Sequence, residues 1–503
     1  MYRRNLFSNL TLITLLITVF SCKSSKNTTR QVDLPEIDVS SDASLDVYRE
    51  AYPQYVDLIH TELHLKPDWQ KSEMEGTAVI RFKPHFYPTD SFVFDAKVMD
   101  IQAVTLKGQD SVRYDYDDRQ LKVFSRKKHL NTDTLELTIH YTSRPEKMDG
   151  AGSFAIQGDK GLYFINPDGS NRYKPRQLWT QGETESNSVW FPTIESPAQK
   201  MTQDIFLTVD STLQTVSNGK LISQKNNGDS TRTDHWRQSL PAAPYLTMIA
   251  AGTFSITKEK WQGIDVSYYV DPPYGKYAPL IFGETPSMLS FFSESFGVKY
   301  PWEKFDQIAV HDYVSGAMEN TTAVIHGTNM MIDPREVIEE DHIDFISHEL
   351  AHHWFGDLVT CESWSNITLN EGFATYSEYL WREKRYGRTN ADEHLRSDLI
   401  SYVRSTKEED PPLIRFHYGS REDVFDAVSY KKGGCVLHML RKEVGDDAFF
   451  TSIKNYLEKY SFSSAEVNDL RIAFEKTTGK DMNWFFNQWF LRGDHPELEI
   501  SYE

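Results

Sequence analysis

The residues with the clearest chemical meaning are His348, Glu349 and His352, which form the sequence H-E-x-x-H. Residues four apart lie on one face of a helix, so both imidazoles can bind one metal ion, and zinc prefers such nitrogen donors. Glu349 is offset from the histidines and is expected to be the base that acts on a water molecule at the metal. A helix is favoured here because acidic residues at Glu339–Asp341 suit its start and apolar residues recur at helical spacing over Ile343–Leu350.

A third ligand is needed, because H-E-x-x-H alone also fits a buried helix with two core histidines. Glu371 follows His352 after eighteen intervening residues and lies at the start of a second predicted helix, from about Asn370 to Trp381. That distance lets the first helix end and the second return beside it. Two histidines and one glutamate leave a fourth position for water, which is typical of a catalytic zinc site. The pattern therefore predicts one Zn2+ per chain.

Three further motifs have the same order and spacing as those of a known family. They are G-A-M-E-N at Gly316–Asn320, a Y-x-K-G sequence at Tyr430–Gly433 and a T-Q-x-E sequence at Thr180–Glu183. Together with H-E-x-x-H, the eighteen-residue spacing and Glu371, they resemble the zinc aminopeptidases related to aminopeptidase N. The resemblance covers most of the chain, from about Val47 to Glu503.

The resemblance implies roles for the motif residues. Glu349 would be the general base, Tyr430 would donate a hydrogen bond to the oxyanion, and Glu319 and Glu183 would bind the α-ammonium group of a peptide substrate. Further substrate-binding residues implied by the motifs are Gln181, Gly316, Ala317, Met318 and Asn320. Ser315 and Gln181 are expected to line the pocket for the first side chain of the substrate.

Two residues after the zinc motif depart from the family pattern. His353 and Asp357 stand where relatives often have glutamine and asparagine. Asp357 is either an acceptor for a zinc-binding histidine or a residue at the end of the helix. Neither departure removes a catalytic group.

The first 22 residues indicate export rather than a folded element. Arg3 and Arg4 precede an apolar run from Leu10 to Phe20, which is short for a membrane span, and Val19–Cys22 resembles a bacterial lipobox. We therefore predict a signal peptide over 1–22, a lipidated Cys22 and a disordered tether over 23–45. The predicted location is the bacterial cell envelope, with the membrane as partner through the lipid anchor. An ordinary cleaved signal and an uncleaved anchor are the alternatives.

Composition limits the partners and the disulfide content. The chain has 503 residues and a formal net charge of −19, which argues against nucleic acid as a partner. Apart from Cys22, the cysteines are Cys361 and Cys435, which are too few for a disulfide framework.

The predicted fold class is α+β, with an antiparallel β domain over 46–254 and a catalytic domain over 255–503. The first half alternates apolar and polar residues, for example over Leu135–Tyr141, and Asn218–Gly219 is typical of a hairpin turn. The second half becomes helical after Asp341, and Met482–Leu491 is predicted to be an aromatic core helix. The resemblance implies that this half is thermolysin-like.

The leading hypothesis is a zinc aminopeptidase acting on peptides with a free N-terminus. A zinc endopeptidase, a catalytically inactive peptide-binding lipoprotein and an epoxide hydrolase of the same family are alternatives. Longer relatives continue into domains that cap the cleft, so a natural two-domain form is expected to select little for substrate length. Residue preference, physiological substrate and oligomeric state are left open by the sequence, as is the choice between a natural short form and a fragment.

Overall fold

The computed structural model describes residues 48–49, 51–109, 112–148, 156–158, 160–406, 410–496, 499 and 501. The predicted signal peptide, Cys22 and the predicted tether lie outside these residues. Ser44–Glu503 groups as one compact unit. Within the described part, no helix has the length and apolar character that crossing a membrane requires.

The first half of the described chain consists mainly of β-strands. In chain order they are β1 (Val56–Asp68), β2 (Glu73–Pro84), β3 (Thr89–Asp95), β4 (Met99–Leu106), β5 (Arg113–Tyr116), β6 (Gln120–His129), β7 (Leu135–Ser143), β8 (Leu162–Ile165), β9 (Gln177–Thr180), β10 (Met201–Asp210), β11 (Gln214–Ser217), β12 (Lys220–Asn226), β13 (Thr231–Ala242) and β14 (Ile249–Gly252). As the alternation predicts, Leu135, Leu137, Ile139 and Tyr141 of β7 are buried.

These strands form three sheets, with the orders β12-β13-β10-β1-β2-β7-β4, β11-β14-β9-β8 and β3-β6-β5. The predicted antiparallel domain contains one parallel pair among the described strands, because β1 and β10 run in the same direction, from His60 opposite Thr202 to Leu65 opposite Leu207. Alternation of side chains reports which face of a strand is buried, and it carries no information about the direction of the neighbouring strand.

Asn218–Gly219 does form a tight turn, but not the predicted hairpin. β11 before the turn pairs with β14, and β12 after it pairs with β13, so the turn carries the chain from one sheet to another. Gly219 has a φ of 69°, and a Cβ there would lie 1.8 Å from the carbonyl oxygen of Arg237. Only glycine fits this turn.

The second half begins with strands and becomes helical. The strands are β15 (Ser255–Trp261), β16 (Ile264–Val270), β17 (Lys304–Ala309), β18 (Ala317–Met318), β19 (Ala323–His326), β20 (Val359–Cys361) and β21 (Ser463–Ala465). The helices are α1 (Ala278–Phe282), α2 (Thr285–Ser295), α3 (Glu336–Glu339), α4 (Ile343–Ala351), α5 (Thr368–Tyr386), α6 (Arg388–Ser405), α7 (Gly433–Val444), α8 (Asp446–Tyr460), α9 (Val467–Thr478) and α10 (Asn483–Trp489). A π-helical turn spans Val428–Lys432.

A five-stranded sheet of order β15-β16-β17-β19-β18 places β18 at its edge. α4 and α5 pack together, and α5 packs against α6, α7 and the π-helical turn. Gly372 and Gly433 permit this approach, because a Cβ on Gly372 would lie 3.2 Å from the Cα of Gly433. The packing brings residues of α4, α5 and the π-helical turn to one cavity.

Several local predictions differ in detail from the structure. The acidic residues Glu339–Asp341 do not belong to α4, which starts at Ile343 after a left-handed His342. In α10, Phe485 and Phe486 are buried as expected, whereas Trp484 is 52% exposed and lies outside the core. Cys361 and Cys435 are free thiols.

Candidate active site

His348, His352 and Glu371 converge on one point. His348 lies in α4, His352 follows the last residue of that helix, and Glu371 lies in the first turn of α5. The Nε2 atoms of His348 and His352 are each 3.3 Å from the same Oε2 atom of Glu371. Two nitrogens and one carboxylate oxygen are the donor set of a three-ligand zinc site.

The hydrogen bonds behind the histidines fit this donor set. The Nδ1 of His348 donates to Glu378 Oε1 at 2.8 Å, and the Nδ1 of His352 donates to the carbonyl oxygen of Phe355 at 2.9 Å. With Nδ1 protonated, a neutral imidazole carries its lone pair on Nε2, which is the atom that faces Glu371 in both cases. The residues present therefore fit a zinc ion. Asp357, considered above as such an acceptor, does not have this role.

Glu378 is a further residue of the site, which the sequence analysis does not identify. Its Oε2 accepts a hydrogen bond from His394 Nε2 at 3.0 Å and lies 3.8 Å from Lys431 Nζ. Burial disfavours its charged form, but Lys431, His348 and His394 outweigh burial and lower the pKa of Glu378. Glu378 lies two helical turns after Glu371, so their spacing could have placed both on one face of α5.

Glu349 is buried beside the donor set, as its offset in the motif predicts. Its Oε2 has no hydrogen-bond partner among the described residues, and its carboxylate lies within 4.8 Å of donor atoms of Glu319 and His352. Burial raises the pKa of Glu349 to about 8, although His348 and His352 oppose the shift. An unpaired carboxylate in this position can accept a proton.

Glu183 and Glu319 bring two more carboxylates to the same place. Oxygen atoms of Glu183, Glu319 and Glu371 all lie within 4.8 Å of one another, and all three residues are buried. In the described part of the chain, Glu183 Oε1 and Glu319 Oε1 have no hydrogen-bond partner. Burial raises the pKa of Glu183, and the charge of Glu319 raises it further. Such a cluster needs cations to remain ionised.

Tyr430 lies in the π-helical turn, with its ring nearly parallel to that of His348. The interplanar angle is 6° and the ring centroids are 6.0 Å apart. Burial raises the pKa of Tyr430, and the charge of Glu371 adds to the shift, so the phenol keeps its proton. Tyr430 can therefore donate a hydrogen bond beside the donor set.

The G-A-M-E-N segment forms one wall of the site. Gly316, Ala317 and Glu319 line a cavity of about 740 Å³ that also contains Glu183 and Tyr430. Ser315 lies on the same wall, and its place in the pocket for the first side chain stays a prediction.

Gln181, Met318 and Asn320 are buried behind this wall and are not among the residues that line the cavity. Gln181 accepts a hydrogen bond from the Tyr313 hydroxyl, and its Nε2 donates to Met318 Sδ at 3.3 Å. The structure thus gives Gln181 a supporting position, rather than the expected place in the pocket for the first side chain. Tyr313, which holds it, carried no signal in the sequence, because its contact exists only in the folded chain.

Comparison with known proteins gives two family matches. Residues 54–246 match the peptidase M1 N-terminal domain, and residues 281–489 match the peptidase family M1 domain. The chain belongs to peptidase family M1. The resemblance stated from the motifs is confirmed, as is the order of a β-rich domain followed by a helical one.

Two curated M1 relatives show how much of the family the chain spans. Aminopeptidase 2 of Candida albicans is 28% identical over 482 residues, which are 92% of this chain and 50% of the relative. Aminopeptidase M1 of Arabidopsis thaliana is 31% identical over 359 residues, which are 68% of this chain and 40% of the relative. The chain spans about half the length of the curated relatives it matches, or less.

The fold is also that of a solved M1 structure. A mutant M1 zinc metallopeptidase from Deinococcus radiodurans, bound to the peptide Tyr-Ser-Ala, superposes with a TM-score of 0.73 at 22% identity. The match covers 90% of this chain and 98% of that one.

Proposed function

We propose that this protein is a zinc aminopeptidase that removes single residues from the free N-terminus of peptides. The observation that carries the proposal is the cluster of buried carboxyl groups in the site, several of whose oxygens have no partner among the described residues. Glu183, Glu319, Glu349 and Glu371 are buried together, and no lysine or arginine side chain is hydrogen-bonded to them within the described residues. A zinc ion and a substrate ammonium group are the two cations that would balance such a cluster.

His348, His352 and Glu371 would hold the zinc ion. When bound, zinc polarises the peptide carbonyl and lowers the pKa of a water molecule. Glu378 and the carbonyl oxygen of Phe355 orient the two imidazoles through their Nδ1 atoms. These bonds keep Nε2 available to the metal.

Glu349 and Tyr430 are proposed to serve the chemical step. Glu349 takes a proton from the attacking water and returns it to the nitrogen of the leaving amine. Tyr430 donates its hydroxyl hydrogen to the oxyanion that forms on the carbonyl oxygen. The protonated state of Tyr430 supports this role.

Glu319 and Glu183 are proposed to select the free N-terminus. Each has a buried carboxylate oxygen without a partner in the described chain, and a substrate ammonium group would supply charge-assisted hydrogen bonds to both. β18 is the edge strand of its sheet, so its backbone can pair with an extended substrate. A substrate bound in this way would present its first peptide bond to the donor set.

The test compares matched substrates that differ only at the amine. We expect the zinc-loaded protein to hydrolyse aminoacyl fluorogenic amides and to leave their N-acetylated forms nearly intact. Removing the metal with a chelator should abolish the activity, and added zinc should restore it. Equal cleavage of both substrates, or cleavage within blocked peptides, would favour the endopeptidase alternative. Peptide binding without turnover by zinc-loaded protein would favour the inactive binding protein.

We also propose that the protein is a lipoprotein of the bacterial cell envelope. The support is the basic start, the apolar run and the lipobox-like residues that end at Cys22. Cys22→Ser should abolish labelling by a fatty-acid analogue and move the protein to the soluble envelope fraction. Unchanged membrane association of the variant would favour an uncleaved anchor.

A further inference from the structure

Thr322 has a backbone conformation that β-branched residues rarely adopt. Its φ is 69°, in the left-handed region, and its side chain is fully buried. Two branches on Cβ make this region costly for threonine, so such a residue persists only where its surroundings hold it in place. Thr322 follows Glu319 by three residues and is the second residue after the G-A-M-E-N segment.

Each polar atom of Thr322 is held by a different part of the molecule. Its backbone N–H donates to His353 Nε2 at 3.0 Å, just after the zinc motif. Its Oγ1 accepts from the backbone N–H of Gly219 at 2.7 Å, in the turn of the β half. Its carbonyl oxygen accepts from the backbone N–H of Asp306 at 2.9 Å and from Lys304 Nζ at 3.1 Å, both in β17.

The contacts around Thr322 reach the backbone of Glu349 on one side and the loop that contains Glu319 on the other. His353 donates its other ring nitrogen, Nδ1, to the carbonyl oxygen of Glu349 at 3.1 Å. Asn218 donates from Nδ2 to the carbonyl oxygen of Thr321 at 2.7 Å and is itself fixed by the backbone of Leu246 and Met248. The imidazole of His353 thus links the backbone of Glu349, the proposed base, to the loop that contains Glu319.

We propose that Thr322 is a positioning residue. His353 and the Gly219 turn hold Thr322 in its left-handed conformation, and Thr322 in turn fixes the loop of Glu319 against the zinc motif. This inference rests on the proposed aminopeptidase function. It gives the β half a second role at the site, in addition to supplying Glu183. It also gives a purpose to His353, which departs from the family pattern.

A double-mutant cycle between Thr322 and Glu319 tests the proposal. Thr322→Gly removes the hydroxyl group and relieves the backbone strain, so the variant is expected to fold and bind zinc. We expect its kcat/KM on an aminoacyl amide to fall by about tenfold, mainly through KM, because the ammonium group is bound less well. In a Glu319→Gln background, Thr322→Gly should lower kcat/KM by less than about threefold, because the carboxylate that Thr322 positions is already absent.

Conservative and remote variants control the cycle. Thr322→Ser keeps the hydroxyl group and should restore most of the activity that Thr322→Gly loses. Ser230→Gly introduces glycine at an exposed left-handed residue, where φ is 65°, and should leave KM unchanged. Equal losses from Thr322→Gly in both backgrounds would overturn the inference. A wild-type protein without free-amine preference would instead overturn the proposed function.

A second pair of variants covers the case in which the glycine variant does not fold. In His353→Gln, the side chain is long enough to place an acceptor near the Thr322 N–H. In His353→Asn, the shorter side chain can replace only the donor to the Glu349 carbonyl oxygen. We expect His353→Gln to keep a KM close to that of the wild type and His353→Asn to raise it by about tenfold. Similar KM values for the two variants, at full zinc content, would contradict the role of the bond to Thr322.

Discussion

Glu183 and Glu319 meet across the two halves of the chain, with carboxylate oxygens no more than 4.8 Å apart. Glu183 follows β9 in the β half, and Glu319 follows β18 at the edge of the second sheet. Two like charges at this distance in a buried site are unstable unless a cation lies between them or one carboxylate takes up a proton. The pair therefore behaves as one receptor for a positive group, and its effects on substrate binding should be shared.

Removing either carboxylate should weaken selection for the free amine. Glu319→Gln and Glu183→Gln are each expected to lower kcat/KM on aminoacyl amides by about 10- to 100-fold, the effect of one charge-assisted hydrogen bond. The rate on N-acetylated substrates should not fall in parallel. Because both residues bind one ammonium group, the double variant should lose less than the product of the single losses. Unchanged discrimination between free and acetylated substrates in Glu319→Gln would refute this.

Glu349→Gln should separate metal binding from catalysis. Glu349 is not one of the three converging donors, so the variant is expected to keep its zinc, measured by elemental analysis. Its kcat should fall by about a thousandfold, because the group that accepts the water proton is lost. His352→Gln is the matched comparison and should lose the metal as well as the activity. Loss of zinc from Glu349→Gln would contradict the assigned roles.

Glu378 should affect zinc affinity through His348. Glu378→Gln keeps the shape of the side chain but loses the charge that holds the imidazole, so zinc should bind about tenfold more weakly in a chelator competition. Glu393→Gln, at an exposed residue of α6, provides a control that should bind zinc like the wild type. Equal zinc affinity in Glu378→Gln and the wild type would show that the hydrogen bond is not needed.

Glu195 should make the stability of the protein depend on pH between about 4.5 and 7. Burial raises the pKa of Glu195 to about 7, although Lys97 and the backbone N–H of Ser188 favour the charged form. A carboxyl group whose pKa is raised by folding stabilises the protein while protonated. Its contribution is complete below the unfolded-state pKa, about 4.5, and is lost as pH rises through about 7.

Comparison with Glu195→Gln isolates this contribution, because glutamine resembles the protonated form. The free energy of unfolding of the wild type, relative to this variant, should fall by about 3 kcal/mol across the interval. Denaturant titrations at several pH values measure it. Glu75→Gln, at an exposed strand residue, serves as the reference substitution. If the difference in the free energy of unfolding between wild type and Glu195→Gln stayed constant from pH 4.5 to 7, folding would not raise the pKa of Glu195.

The parts of the site that the sequence predicted are those set by local geometry. The helical repeat places His348 and His352 on one face, and the distance to Glu371 suffices for a second helix, so the donor set could be read from spacing alone. Glu378 obeys the same repeat and was within reach of the same reasoning. The buried residues of β7 were also predicted correctly, because successive side chains of a strand point to opposite faces and one face of β7 is buried.

The parts that were missed depend on contacts between distant segments. The turn at Asn218–Gly219 reads as a hairpin, because its two residues favour the same backbone in any tight turn. Which strands pair on either side is decided by the rest of the fold. Similarly, no local pattern shows that Thr322 would meet both Gly219 and His353, although its position after G-A-M-E-N marks it as near the site.

The parallel pairing of β1 with β10 has a consequence for how the protein is made. β1 leaves the ribosome well before β10, so a nascent chain has β1 and β2 available while the other edge of β1 lacks its partner. An unpaired edge is a template for wrong pairing with other chains, and contacts so distant in sequence form slowly. The first half should therefore be prone to wrong pairing until β10 is available to cover this edge of β1.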